Sequence, residues 1–202
     1  MQLVLASSNP GKLRELTQLL SPLGHILTPQ SELGIHAADE TGTTFLENAL
    51  LKAHHAAHFA HLAALADDSG IEVDALGGQP GVHSARYAGP NATDAENLHK
   101  LLAELHDVPP ERRQARYHCV IVLLRSPQDR DPIIAQGTWE GQIATAPRGS
   151  GGFGYDPVFI PAGSTHTAAE MPAAQKNAVS HRGQALTALV AALEADGADG
   201  TG

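Results

Sequence analysis

The chain begins with an apolar run, Leu3-Val4-Leu5-Ala6, after which leucines recur at 13, 16, 19 and 20. An unbroken run followed by helical spacing predicts a buried strand, a turn over SSNPGK (7–12) and an amphipathic helix. A second helix is expected from about Thr43, where Thr43 or Thr44 caps and Glu47 answers from the third or fourth position. It carries FLENALLKAHHAAHF to near His61. LAALA (62–66) reads as a short buried strand leading into DDSG, and IEVDAL as a further extended piece before the breaker-rich GGQPG. Residues 94–106 form a third expected helix, stopped by Pro109-Pro110. ARYHCVIVLLRS and PIIAQGTWEGQIA read as a β-pair, 149–157 as a glycine-rich loop, and 183–195 as a last helix with Leu186, Leu189, Val190 and Leu193 on one face. Residues 197–202, GADGTG, read as a flexible tail, and no internal repeat is present. Strands alternating with helices predict an α/β fold, in which loops at strand ends are the usual place for chemistry.

Composition narrows the function classes. At 202 residues and 42% hydrophobic, the chain fits one domain, with room for two lobes. A formal net charge of -9 argues against nucleic acid as a partner, since phosphodiester binding draws on clustered Lys and Arg. Any phosphate site is therefore local. Cys119 is the single cysteine and stands in the apolar run CVIVLL, which excludes an intrachain disulfide and reads as a buried structural thiol in a reducing compartment. With no basic segment ahead of the first apolar run and no stretch near the ~20 apolar residues of a membrane span, a soluble cytoplasmic protein without a membrane partner is expected.

Three constellations carry candidate chemistry. SSNPGK lacks the glycine spacing and the Ser/Thr after lysine of a P-loop, which argues against an ordinary P-loop kinase or ATPase. Its physics can still be shared: helix N-terminal amides, polar side chains at Ser7, Ser8 and Asn9, and the charge of Lys12 suit an anion. A capped turn with an exposed lysine is the plain alternative. Glu40, Asp67 and Asp68 offer hard oxygen ligands of the kind that suit Mg²⁺. Because neighbours on a strand face opposite ways, at most one of Asp67 and Asp68 reaches a ligand; the alternative is a solvated DDSG turn. In GSGGFGYDP the glycines let backbone approach a flat ligand and Phe153 or Tyr155 can stack on a base, with Lys176 and Ser180-His181-Arg182 following. There the alternative is a hairpin loop whose aromatics join the core. His54, His58 and His61 share a helical face, read as a solvated or dimer-facing stripe rather than a metal site, since three ligands from one straight helix need help from elsewhere.

The ordered series SSNPGKLRE, ADETGTTFLENALLKA, ADDSGIEVDALGGQPGVHSARYAG, GGFGYDPVF and KNAVSHRGQAL closely resembles the inosine/xanthosine triphosphate pyrophosphatase family, over residues 3 to 195. The resemblance implies an elongated mixed sheet forming two α/β lobes with the active site in a cleft between them. Residues 1–196 would make one two-lobed nucleotide pyrophosphatase domain, usually a homodimer. It also implies hydrolysis of nonstandard purine triphosphates (ITP, dITP, XTP) to monophosphate and pyrophosphate with Mg²⁺. By matching position, Ser7, Ser8, Asn9, Pro10, Gly11 and Lys12 are the triphosphate turn, with Lys52 a further phosphate contact. Asp68 is general base and metal ligand, Glu40 the other metal carboxylate and Ser69 a substrate contact; Phe153, Gly154, Tyr155, Asp156, Lys176, His181 and Arg182 form the base-recognition group. Ser7-Ser8-Asn9 stands where Thr-Gly-Asn is common in the family, and MPAAQ (171–175) replaces a more acidic approach to Lys176. Two other classes use parts of the same set: a non-catalytic purine nucleotide-binding regulator, and a phosphotransferase that would release a diphosphate.

Overall fold

The computed structural model describes residues 2–7 and 9–199. Ser8, expected in the phosphate turn, and the tail from residue 200 lie outside the described residues. Strand β1 (Gln2–Leu5) leads into helix α1 (Pro10–Leu20), whose N-cap is Asn9 and whose first position is proline, a residue with no amide hydrogen to waste there. Strand β2 (Ile26–Pro29) follows and pairs parallel to β1, Gln2 opposite Ile26 and Leu5 opposite Pro29. It has four half-exposed or exposed residues and no alternation, so the sequence pattern contains no signal for it. Helix α2 (Phe45–Ala60) starts at a reciprocal capping box between Thr44 and Glu47, as expected, and ends on His61 in the left-handed region at φ 54°.

Strand β3 (Ala63–Val73) is a single 11-residue strand through DDSG, where two strands and a turn were expected. Asp67 and Asp68 are buried and ion-paired, so their charges are met inside the protein and the backbone need not turn out to water. A short 3₁₀ stretch (Gly81–Arg86) precedes helix α3 (Asp94–Glu104), which ends two residues before the expected limit at a Leu105 cap. Strands β4 (Gln114–Leu124) and β5 (Ile133–Ile143) match the expected pair. Strand β6 (Phe159–Pro161), helix α4 (Ala173–Val179) and helix α5 (His181–Asp199) complete the chain. β6 and α4 are too short to show a period, and α5 begins at His181 and reaches Asp199, beyond the expected 183–195 and through residues 197–199 of the expected flexible tail.

The six strands form one mixed sheet in the order β2-β1-β3-β4-β5-β6, with β1 parallel to β2 and β3, and β6 antiparallel to β5. The chain divides into two compact units, residues 1–68, 119–137 and 182–202, and residues 69–118 and 138–181. In the first, strand alternation sends Leu3, Leu5, Leu65, Cys119, Ile121 and Leu123 to one face with Leu16 and Leu20 of α1 and Leu186 and Leu189 of α5. Val4, Ala64, Ala66, Val120 and Val122 go to the other face, where Ala49, Ala53, Ala56 and Ala57 let α2 lie close. Cys119 is a buried free thiol, pushed up to about 12 by burial, which fits the structural role expected of it. The second unit buries Ile71, Val73, Tyr117, Trp139 and Phe159 under Leu98 and Leu101 of α3 and its capping residue Leu105. Its alternate strand positions carry polar pairs instead, including Arg116 between Asp74 and Glu140 and His118 beside Glu72.

Candidate functional site

The first unit gathers cations and carboxylates just beyond the paired ends of β1 and β3. Asn9 Oδ1 accepts from the Gly11 amide at 2.8 Å and the Lys12 amide at 3.1 Å, while Ser7 Oγ accepts from the Asn9 amide at 3.2 Å. Asn9 and Ser7 thus satisfy the amides of Asn9, Gly11 and Lys12, and among the described residues of the turn Lys12 offers an anion its ammonium, 14% exposed along the side chain. That ammonium lies 2.9 Å from Asp67 Oδ2. The same oxygen stands 3.5 Å from Arg182 Nη2, and Arg182 Nη1 donates to Glu15 of α1. Arg182, fully buried, is thus a strut between α1, β3 and the first turn of α5.

Asp68 keeps different company. Lys52 Nζ, brought in by α2, is 2.8 Å from Asp68 Oδ1 and 2.8 Å from Glu40 Oε1. Burial alone would lift both aspartates. For Asp67 the Lys12, Arg182 and Lys52 charges overcome it and hold the carboxyl far below the usual range; for Asp68 burial wins over Lys52 and Lys12, and the carboxyl sits above its ordinary value. Burial pulls the Lys52 ammonium down, but Asp68, Asp67 and Glu40 more than compensate, so it stays charged. Two adjacent carboxylates with divergent proton affinities is the pattern of one spectator and one acid–base group. Glu40 Oε1 and Asp68 Oδ1 meet at the Lys52 ammonium, and Asp68 Oδ2, a hard oxygen donor, is buried beside them without a hydrogen bond among the described residues. That donor set fits a divalent metal ion. No group of three His, Cys, Asp or Glu among the described residues is arranged to hold one by itself. His54 and His58 are exposed on α2, and His61, the helix cap, keeps its ring 6.5 Å from that of His58.

The second unit holds the glycine-rich loop. Asp156, 2% exposed, is its hub: Oδ2 accepts from the Phe153 amide at 2.8 Å and pairs with Lys176 Nζ at 2.7 Å. Lys176 lies 5.0 Å above the Phe153 ring. Tyr155, expected beside Phe153 as a stacking ring, is instead buried in the core, its hydroxyl donating to the Ser84 carbonyl at 2.7 Å. The hairpin-loop alternative thus describes Tyr155, while Phe153 stays half-buried at the loop. His181 stacks on Tyr117, ring centroids 4.5 Å apart and planes 6° from parallel. Gly154 turns at φ 63°, and Ser69 continues β3 half-buried after Asp68. Glu15, Ser84 and Asp94 hold these groups in place; nothing in the sequence singles them out, because their partners lie far along the chain.

Cations gathered around the carboxylates of β3, where β1 ends beside it, are an arrangement that suits an α/β protein of the phosphate-handling class. Comparison with known proteins narrows that class. The sequence profile of the Ham1 family matches residues 3–192, and the chain belongs to this family. It is 57% identical over 194 residues, 96% of each chain, to a dITP/XTP pyrophosphatase of Methylococcus capsulatus. Among solved structures, a HAM1 protein from Coxiella burnetii matches with TM-score 0.87 and 49% identity, covering 96% of this chain and 98% of that one. The Ham1 protein of Staphylococcus aureus gives TM-score 0.85 and 38% identity, covering 97% and 100%.

Proposed function

We propose that the chain hydrolyses nonstandard purine nucleoside triphosphates, ITP, dITP and XTP, to the monophosphate and pyrophosphate. The observation that carries this is the Glu40–Lys52–Asp68 cluster beside the Lys12–Asp67 pair: two ammonium groups for phosphate oxygens, and a carboxylate kept apart from its neighbour in proton affinity. Lys12 and Lys52 bind the β and γ phosphates, with Ser7, Asn9 and Gly11 shaping the turn. Asp68 orients a water toward the α phosphorus and accepts its proton; the water oxygen bonds to phosphorus as the bond to the bridging oxygen breaks, and pyrophosphate leaves. Glu40 and Asp68 would hold Mg²⁺, which supplies charge neutralisation on the phosphates and a more acidic bound water. Asp67, already held by two cations, keeps Lys12 in place and takes no proton.

On the base side, Phe153 stacks and Lys176 and His181 offer donors to the 6-carbonyl of hypoxanthine or xanthine. Adenine carries an amino group there, so buried donors would face a donor; a site of this kind discriminates by up to ~10⁴. Ser69 is a further substrate contact. In this reading the protein works in the cytoplasm as a homodimer; no helix among the described residues is long and apolar enough to cross a membrane. Incubation with ITP and Mg²⁺ followed by phosphorus NMR tests the reaction. Monophosphate with intact pyrophosphate is expected; diphosphate with orthophosphate would mean a γ-phosphatase, and unchanged ITP a binding regulator or, if diphosphate forms only on adding an acceptor, a phosphotransferase.

A further inference from the structure

Phe153 is flanked by two successive amides that point to two different carboxylates. Its own amide donates to Asp156 Oδ2 inside the loop, and the next one, of Gly154, donates to Asp94 Oδ2 at 2.8 Å. Asp94 is the first residue of α3, 60 positions away along the chain, so the bond ties the loop to an element anchored in the core by Leu98 and Leu101. The glycines on either side of Phe153 turn through the left-handed region, at φ 71° for Gly152 and 63° for Gly154, where the backbone has little intrinsic preference and the ring direction depends on what holds the amides. We propose that Asp94 is a positioning residue for base recognition: by fixing the Gly154 amide from α3 it sets the direction in which Phe153 presents its ring. This rests on the reading of the loop as the base-binding element. Asp94 touches no reacting group, and its effect belongs to substrate binding rather than to turnover.

Asp94→Ala and Asp94→Asn separate this role from a general helix effect. Both remove the negative charge from the first turn of α3, but only asparagine keeps an oxygen that can accept from Gly154. With ITP and Mg²⁺, Asp94→Ala should raise KM about ten- to thirtyfold, the lower end of the scale of one lost hydrogen bond to a charged acceptor, with kcat within about twofold. Asp94→Asn should restore most of the loss, and amide hydrogen exchange at Gly154 should speed up in the alanine variant alone. Equal KM changes in both variants, or a parental KM in Asp94→Ala, would overturn the proposal. Phe153→Ala is the control for the underlying reading. A raised KM there with a parental KM in Asp94→Ala rejects Asp94 alone, whereas a parental KM in Phe153→Ala rejects the base-loop reading and Asp94 with it.

Discussion

Asp67 and Asp68 share a backbone and a degree of burial, yet Asp67 pairs closely with Lys12 and Arg182 and Asp68 with Lys52, and their roles follow from that difference. Asp68→Asn keeps the shape while removing the proton acceptor and one negative charge, so turnover of ITP should fall by about two to four decades with less effect on binding. Asp67→Asn should cost less in rate, measured side by side in the same assay; equal losses would assign both carboxylates to the chemistry. Arg182 poses a related question, because Nη1 and Nη2 are directed at Glu15 and Asp67. Truncating one partner of a buried ionic cluster leaves the others uncompensated, at about 3 to 5 kcal/mol. Arg182→Ala should therefore lower the melting temperature and reduce kcat/KM for ITP and ATP in similar proportion. A loss confined to ITP would give the guanidinium a direct contact with the base.

At the scale of elements, the glycine-rich loop depends on two glycines for different reasons. A Cβ on Gly152 would come within 2.0 Å of Asp156 Oδ2, so the carboxylate that holds both the Phe153 amide and Lys176 would have to leave its place. A Cβ on Gly154 meets nothing within 4 Å, and only its φ of 63° resists substitution. Gly154→Ala should cost about 1 kcal/mol of backbone strain. Gly152→Ala should do much more, raising KM for ITP at least tenfold by displacing Asp156, an effect on the scale of a lost charge-assisted bond. Steady-state kinetics of the two variants against their thermal midpoints distinguishes the cases. If both lose stability and KM alike, backbone strain rather than the Asp156 contact governs the loop. Helix α2 shows the converse, an element secured locally: the Thr44–Glu47 box fixes its start whatever it packs against, and its alanines then let Lys52 reach Asp68 and Glu40.

For the whole molecule, the buried charges link stability to pH. The folded Asp67 carboxyl lies below its unfolded value, so its contribution is fully present above about pH 4 to 5 and is lost as pH falls through the folded value. The gap in melting temperature between the parent and Asp67→Asn should accordingly be widest near neutrality and narrow in acid; a gap that stays constant would remove Asp67 from the acid response. The sequence by itself determined the local pieces: α1, although its first turn, Pro10 to Lys12, was expected as part of the loop, α2 behind its capping box, the β4–β5 pair, and the family membership that rests on motifs in order. These are set by periodicity and by contacts within a few residues, which a linear pattern records. Only the tertiary structure decided that DDSG runs straight as part of β3, that Tyr155 fills a core while Phe153 stays at the loop, and which cation each aspartate holds. A strand with two adjacent carboxylates is stable only when lysines from α1 and α2 and an arginine from α5 arrive to meet them. The sequence lists those residues but not their meeting, because the energy that keeps the strand extended lies in contacts 16 to 115 positions apart.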